Sequence, residues 1–197
     1  MPILTLPIYP SSESWGFEAN VRRFESDLDA TVQTSSLSGG KWVADLSFNN
    51  MTKARAAQLK AFLMALEGGA GSFYLAPNLA TPLGAASTST QGLVNGASQV
   101  GGALITDGWS NSLLIFRAGD HFEVNGEFKI VTQDFTSSGA GAGTIYFKPN
   151  LRAAPPDNAE INFTDPVCVM RLREDSVLWS HAVSDTYTAS FSCEEVL

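Results

Sequence analysis

The stretch from Trp42 to Leu75 constrains the fold of this chain most, because its hydrophobic period changes twice within it. Apolar and polar residues alternate up to Phe48, which is typical of a half-buried strand. The spacing then becomes that of an amphipathic helix, predicted over about residues 52–67. A short apolar segment resumes beyond two glycines. The stretch therefore predicts a strand, a helix and a second strand.

Both ends of the predicted helix carry residues that cap helices. Thr52 or Asn50 is expected to accept a hydrogen bond from an otherwise unpaired N–H of the first turn. Gly68 and Gly69 offer the positive φ with which many helices end. A helix of this length is marginal by itself, so it must pack against a sheet. The predicted core of this first domain consists of Trp42, Leu46, Phe48, Leu59, Phe62, Leu63 and Leu66.

The composition favours a β-rich globular protein and disfavours two classes of partner. Of 197 residues, 44% are hydrophobic, only 16% are charged and 17 are glycine, which suits short strands joined by many turns. The net charge is −8. An acidic chain repels nucleic-acid phosphates and anionic membrane surfaces, so we expect neither as a partner. There is no apolar run of about 18 residues and no basic signal-peptide start, so we expect a soluble protein made in a cytoplasm.

The middle of the chain is predicted to form a second, inserted unit of short strands. Residues 77–100 are rich in small and polar residues and mark the crossing into this unit. Asn125 and Gly126 stand between two alternating segments and predict a type I′ hairpin, because both turn positions need positive φ. The face that we expect the two hairpin strands to share consists of Phe122, Val124, Phe128 and Ile130. Short strands without a helix favour a small barrel or sandwich.

The strand patterns also predict how the domains are connected. The first 40 residues are predicted to be mostly strand and turn, and too few of them are strands to cover the sheet edges. The C-terminal strands are therefore expected to return to the first sheet. We assign residues 1–80 and 165–197 to the first domain and residues 81–164 to the inserted one. The predicted class is mainly β with one α-helix.

The two histidines do not form a recognisable catalytic pattern. His121 lies beside Asp120, and His181 precedes Asp185 by four residues. Members of a Ser-His-Asp triad need not be close in sequence, but no Gly-x-Ser-x-Gly elbow is present. The glycine-rich segment 139–143 lacks the spacing and the lysine of a phosphate-binding loop. We therefore favour surface or turn histidines and predict no catalytic residue and no enzymatic activity.

Cysteines and acidic pairs likewise predict no bound metal. Cys168 and Cys193 can form a disulfide only if their strands lie adjacent. Together with the histidines they lack the ligand spacing of a zinc site. The pair Asp27 and Asp29 and the pair formed by residues 194–195 lack the pattern of a calcium loop, and we expect both to be solvated. We predict no metal and no cofactor.

Trp109 is the remaining candidate for a contact residue. It stands between Gly108 and Ser110 in a predicted loop, where an indole ring could stack on a sugar or on a partner protein. The alternative is a tryptophan packed over the mouth of the barrel. The sequence favours this second interpretation.

Several stretches together resemble those of one known protein family. WVADLSFNNMTKARAAQLKAFLMALEGGAGSFYL resembles the strand, helix and strand of that family's ring-forming domain. LATPLG, GLVNGASQVGGALITDGW and FRAGDHFEVNG resemble its linker and inserted barrel. FKPNLRAAPPDNAEI resembles the exit from the barrel, and SFSCEEVL resembles the closing strand. The stretches cover nearly the whole chain in the same order, and the family that they resemble is that of the distal tail proteins of long, flexible-tailed bacteriophages.

The resemblance implies a β-sandwich-like ring domain with an inserted OB-like barrel. It implies a homo-oligomer, a hexameric ring, which joins the tail tube protein to the hub protein of the tip and surrounds the DNA exit channel. It further implies location in the virion tail tip after assembly in the bacterial cytoplasm, with receptor-binding proteins as further partners. It supplies no catalytic residue. The alternatives are a carbohydrate-binding tail module that contacts the host through the barrel, and a small hydrolase.

Overall fold

The structure is a computed structural model that describes residues 2–37, 39–78, 82–182 and 185–197. Strands make up 44% of the chain, so the protein is mainly β. The described residues contain one α-helix, α1 (Lys53–Ala65), and two 3₁₀ turns, Gly68–Ala70 and Ala86–Thr88. In chain order the strands are β1 (Leu4–Thr5), β2 (Ser12–Glu18), β3 (Val21–Glu25), β4 (Val32–Ser36), β5 (Lys41–Met51), β6 (Phe73–Leu75), β7 (Leu93–Val94), β8 (Gly101–Asp107), β9 (Leu114–Phe116), β10 (His121–Val124), β11 (Glu127–Val131), β12 (Phe135–Thr136), β13 (Gly143–Leu151), β14 (Ile161–Asn162), β15 (Cys168–Leu172), β16 (Trp179–His181) and β17 (Tyr187–Glu195).

The chain divides into two units. The first consists of Met1–Leu75 and Val169–Leu197, and the second of Ala76–Cys168. The sequence placed the second boundary at 164/165. It placed the first at 80/81, and these two residues lie outside the described part of the chain.

The sheet of the first unit is built from both ends of the chain. Its strand order is β1-β6-β15-β17-β5-β2, with β16 paired to β17 beside this path. The C-terminal strand β17 runs antiparallel to β5, with Phe191 opposite Leu46 and Cys193 opposite Ala44. The C-terminal strands therefore complete the first sheet, as expected from its uncovered edges.

Helix α1 packs its apolar face against this sheet. Thr52 is the N-cap, and its hydroxyl accepts from the N–H of Arg55 at 3.5 Å. Leu66 is the C-cap, and the left-handed backbone begins at Glu67, one residue before Gly68. Gly69 does not have positive φ, so only one of the two glycines acts as expected. All seven side chains of the predicted core are buried.

Aromatic rings connect the helix to the two central strands. Phe62 of α1 meets Phe73 edge to face, with ring centroids 5.5 Å apart. Phe73 in turn lies edge to face with Phe191, and Phe191 stacks on Phe48. Burying a large apolar side chain contributes roughly 1.5–3 kcal/mol, so this row of rings is a main source of stability for the first unit.

The second unit is a nearly closed, six-stranded, barrel-like sheet with the order β14-β10-β11-β13-β8-β7. A bridge between Leu93 and Glu160 brings its first and last strands together. The N–H of Val94 donates to the carbonyl of Ala159 at 2.9 Å beside this bridge. Closure removes the exposed edges that an open sheet would have. The inserted unit is thus the small barrel that the sequence predicted.

The β10–β11 hairpin turns at the predicted residues, but the predicted shared face is wrong. Asn125 and Gly126 both have positive φ, 53° and 75°. Val124 pairs with Glu127, and Phe122 pairs with Lys129. In a two-residue hairpin the residues that flank the turn lie opposite each other and share a face. Phe122 and Val124 therefore share their face with Glu127 and Lys129, while Phe128 and Ile130 lie on the other face.

Candidate interaction surface

Trp109, the candidate contact residue, lies in the barrel core and not on its surface. Its side chain is 3% exposed, and its ring meets those of Phe116 and Phe135 edge to face. The indole Nε1 donates to Thr106 Oγ1 at 2.8 Å, so the polar atom of the ring is satisfied inside the core. The barrel walls close over the ring, which agrees with the packed position that the sequence favoured. Trp109 offers no face for stacking on a sugar or a partner.

A buried ion pair lies in the barrel on β11. Lys129 Nζ lies 2.6 Å from Glu127 Oε2, and the lysine side chain has no exposed surface. Nζ also donates to the Asn150 carbonyl at 3.1 Å, while Glu127 accepts from the backbone N–H groups of Arg152 and Ala153. Burial raises the pKa of Glu127, but the hydrogen bonds from Lys129, Ala153 and Arg152 outweigh it and lower that pKa overall. The pair connects β11 to the end of β13 and so serves the fold of the barrel.

This pair was not predicted from the sequence, although the sequence contains a local signal for it. Glu127 and Lys129 alternate with Phe128 and Ile130. In an alternating strand the apolar residues normally mark the inward face, so the two charged residues are expected to face outward. The pairing rule of a two-residue hairpin, applied to Val124, would have placed Glu127 on the core side.

The two histidines lie in different surroundings, and neither is part of a triad in the described residues. His121 stacks on Phe128 with ring centroids 5.2 Å apart. Burial lowers the pKa of His121, and the charge of Asp120 offsets part of this effect. The carboxylate of Asp120 instead accepts backbone N–H groups, including that of Leu83 at 2.7 Å.

The second histidine is exposed. His181 Nε2 lies 3.1 Å from Asp185 Oδ1, and its ring stacks on Tyr187. In the described part of the chain no serine hydroxyl is hydrogen-bonded to either histidine.

The two cysteines are buried and no disulfide joins them. Burial raises the pKa of Cys193 to about 12, and its Sγ donates to the Ala44 carbonyl at 3.4 Å. A thiol with such a pKa is protonated at neutral pH and is a poor nucleophile. Among the residues that the structure describes, no group of three or more His, Cys, Asp and Glu side chains is placed to hold a metal ion.

The acidic pair near the C-terminus is buried, in contrast to the predicted solvated position. Glu194 accepts from Lys41 Nζ at 2.6 Å and from Arg171 Nη2 at 2.8 Å. The hydrogen bond from Lys41 is the main reason why the pKa of Glu194 is lowered. Glu195 Oε2 accepts from the N–H of Trp42 at 3.1 Å. These contacts join the end of β17 to β5 and β15, and they depend on long-range pairing that local patterns do not contain.

The β3–β4 hairpin of the first unit exposes several apolar residues. Its two strands pair only with each other within the described chain. Val21 and Val32 lie on one face and Phe24 on the other, and all three are at least half exposed. Leu28, at the turn, is 98% exposed. Strand β3 was not predicted from the sequence, because a hairpin with both faces in solvent lacks the alternation that marks a half-buried strand.

The outer face of α1 is a second exposed surface, and it is basic. The helix contains Lys53, Arg55 and Lys60 and no acidic residue. Met64, on the same face as Lys53 and Lys60, is 69% exposed. Lys60 Nζ lies 5.2 Å from the ring centroid of Trp179. A shallow groove of about 290 Å³ next to this face is lined by Leu63, Met64, Glu67, Gly68, Leu172, Asp175, Ser176, Val177 and Trp179.

The fold and these surfaces define a mainly β protein of two units, in which a barrel interrupts a sheet domain. In comparisons with known proteins, no family model matches the chain, and no curated protein matches it significantly. Among the described residues, no helix is both long enough and apolar enough to cross a membrane.

Proposed function

We propose that this chain is a structural subunit of the tail tip of a long-tailed bacteriophage, in which copies of the first unit form a sixfold ring around the DNA exit channel. The ring joins the tail tube protein to the hub protein of the tip. It acts through assembly and without catalysis. Its place is the virion, after assembly in the host cytoplasm.

The interrupted architecture is the observation that carries this proposal. A sheet built from Met1–Leu75 and Val169–Leu197 is interrupted by a barrel of Ala76–Cys168. This is the arrangement that the resemblance to distal tail proteins implies, and the resembling stretches occur in the same order along the chain. The net charge of −8 suits a channel wall past which DNA slides without adhering.

Further support comes from the hairpin, which presents an exposed apolar surface. A ring needs two different surfaces on each subunit that fit each other, because a head-to-tail contact must close on itself. The first unit has an apolar hairpin with Phe24 and Leu28 exposed, and a separate basic helix face. The carbohydrate-binding alternative depended on Trp109, whose burial removes its specific support.

Assembly state tests the proposal. We expect purified chain, alone or mixed with the proteins encoded beside it, to give a discrete species of six copies by mass photometry and sixfold rings by electron microscopy. A Phe62→Asp variant, which cannot pack α1, serves as the control and should give no rings. A wild-type chain that stays monomeric and joins no tail structure would contradict the proposal.

A further inference from the structure

We propose that the tip of the β3–β4 hairpin of one copy docks on the basic face of α1 of a second copy. The hairpin tip is defined as residues 25–29, and the basic helix face as Lys53, Ala57, Lys60 and Met64. The inference rests on the proposed ring and specifies one of the contacts between its subunits.

The hairpin suits a partner because the described residues of its own unit leave it uncovered. Phe24 is 61% exposed and Leu28 is 98% exposed, and they belong to a sheet of only two strands. Isolated two-stranded hairpins are marginal in water, since they bury too little apolar surface to offset chain entropy. Docking at the tip would bury Leu28 and stabilise the hairpin.

The charge of the hairpin tip determines which surface it fits. Glu25, Asp27 and Asp29 surround Leu28 and give the tip three negative charges. Hydrogen bonds from Ser26 and from Thr31 lower the pKa of Asp29, so this carboxylate is charged at neutral pH. The complementary surface must therefore combine positive charge with an exposed apolar residue.

The basic helix face has this combination. The chain has 20 acidic and 12 basic residues, yet the thirteen residues of α1 contain three bases and no acid. Lys53, Lys60 and Met64 follow one another at intervals of seven and four residues, which places them along one side of the helix. Lys53 forms no ion pair within the described residues. It lies at the positive end of the helix dipole, where an incoming carboxylate is favoured and a cation is not.

The two surfaces lie at opposite ends of β5, so they suit a contact between copies. The hairpin joins Glu18 to Lys41, the paired ends of β2 and β5. Helix α1 begins at Lys53, two residues after the other end of β5 at Met51. Eleven extended residues separate these ends by about 30 Å. A contact from one end to the other end of the next copy is heterologous and can close into a ring.

Charge reversal with a matched control tests this contact. Lys53→Glu and Asp27→Lys should each weaken self-association at least about tenfold, measured by analytical ultracentrifugation, because each places like charges together. The combined variant should restore it. Arg55→Glu changes the charge equally in the same helical turn, but about 160° around the axis from Lys53, and should have little effect. The melting temperature of the Lys53→Glu variant should not fall, because an acidic side chain in the first turn of α1 interacts favourably with the helix dipole.

A cysteine experiment identifies the contact independently. Leu28→Cys and Ala57→Cys proteins, prepared separately, should form a disulfide-linked dimer when mixed under oxidising conditions. Neither should form it efficiently alone, and the native cysteines are buried.

The outcomes separate this inference from the proposed ring. A wild-type oligomer that persists in Lys53→Glu and in Asp27→Lys overturns the docking but leaves the ring. If the combined variant with Lys53→Glu and Asp27→Lys regains self-association but forms open chains and no closed ring of six, that result supports the docking and contradicts the ring. A wild-type chain that is monomeric at all concentrations, and that forms no ring when mixed with the proteins encoded beside it, overturns both.

Discussion

Lys129 Nζ lies 2.6 Å from Glu127 Oε2 inside the barrel, and the two residues are two positions apart on β11. Residues two apart on a strand point to the same face, so this geometry follows from the pleat. Asn150 accepts from Lys129, and the N–H groups of Arg152 and Ala153 donate to Glu127. Arg152 Nε also lies 3.6 Å from Glu127 Oε2, so the carboxylate has two cations beside it, whereas Lys129 without Glu127 would be a buried charge without an anion.

Breaking this pair should destabilise the barrel strongly. Lys129→Met removes the nearer of the two cations beside the Glu127 carboxylate and leaves Arg152, whose Nε lies 3.6 Å from Oε2, so we expect a loss of about 3 kcal/mol, the low end for a broken buried pair. The double variant Lys129→Met with Glu127→Gln should lose less, because no buried carboxylate remains. Urea unfolding with hydrogen exchange on β11 measures both effects. Lys148→Met, at an exposed lysine of β13, is the control and should change stability by less than about 0.5 kcal/mol. Equal effects at Lys129 and Lys148 would contradict the structural role of the pair.

Glu194 should make the first unit sensitive to acid. Its pKa is lowered from the ordinary value of 4.5, chiefly by the hydrogen bond from Lys41, so the unfolded chain binds the proton more tightly than the folded one. The stabilisation is therefore complete above the unfolded pKa and is lost as the pH falls below about 4.5 through the folded pKa. Melting temperatures between pH 3 and about pH 7 should decline less steeply for Glu194→Gln than for the wild type. Parallel curves for the two proteins would show that Glu194 does not carry this dependence.

Replacing Trp109 should damage the barrel fold. Trp109→Ala leaves a cavity among Phe116 and Phe135, and we expect a loss of about 3–5 kcal/mol. Trp109→Phe keeps most of the ring and loses the hydrogen bond to Thr106, so its effect should be smaller. A Cβ at Gly92 would overlap the indole, so Gly92→Ala should also destabilise the barrel. Chemical denaturation measures all three, and a Trp109→Ala barrel of wild-type stability would contradict the burial.

The packing of α1 is tested by two aspartates on opposite sides of the helix. Phe62 is 8% exposed and contacts Phe73, so Phe62→Asp buries a charge and should abolish folding of the first unit, a loss above about 3 kcal/mol. Met64 is mostly exposed, and Met64→Asp should shift the unfolding midpoint only slightly. Circular dichroism during thermal unfolding distinguishes them. A melt of Phe62→Asp like that of the wild type would mean that the buried face of α1 is assigned wrongly.

Local patterns predicted much of the first unit correctly. The helix, its Thr52 cap and its buried face follow from spacing and side-chain chemistry within a few residues. The Asn125 and Gly126 turn is equally local, because it depends on backbone preferences at two positions. The return of the C-terminal strands was inferred from the need to cover sheet edges, although the sequence could not determine that β17 lies between β15 and β5.

The mainly β class, the helix with its core, the inserted barrel and the preference for a packed Trp109 all follow from the sequence. Only the folded chain shows that Glu194 is buried among cations and that the described residues leave the β3–β4 hairpin uncovered. The physical reason is the range of the interactions. Periodicity and turn chemistry act between neighbours, whereas burial and ion pairing depend on residues such as Lys41 and Glu194 that are far apart along the chain.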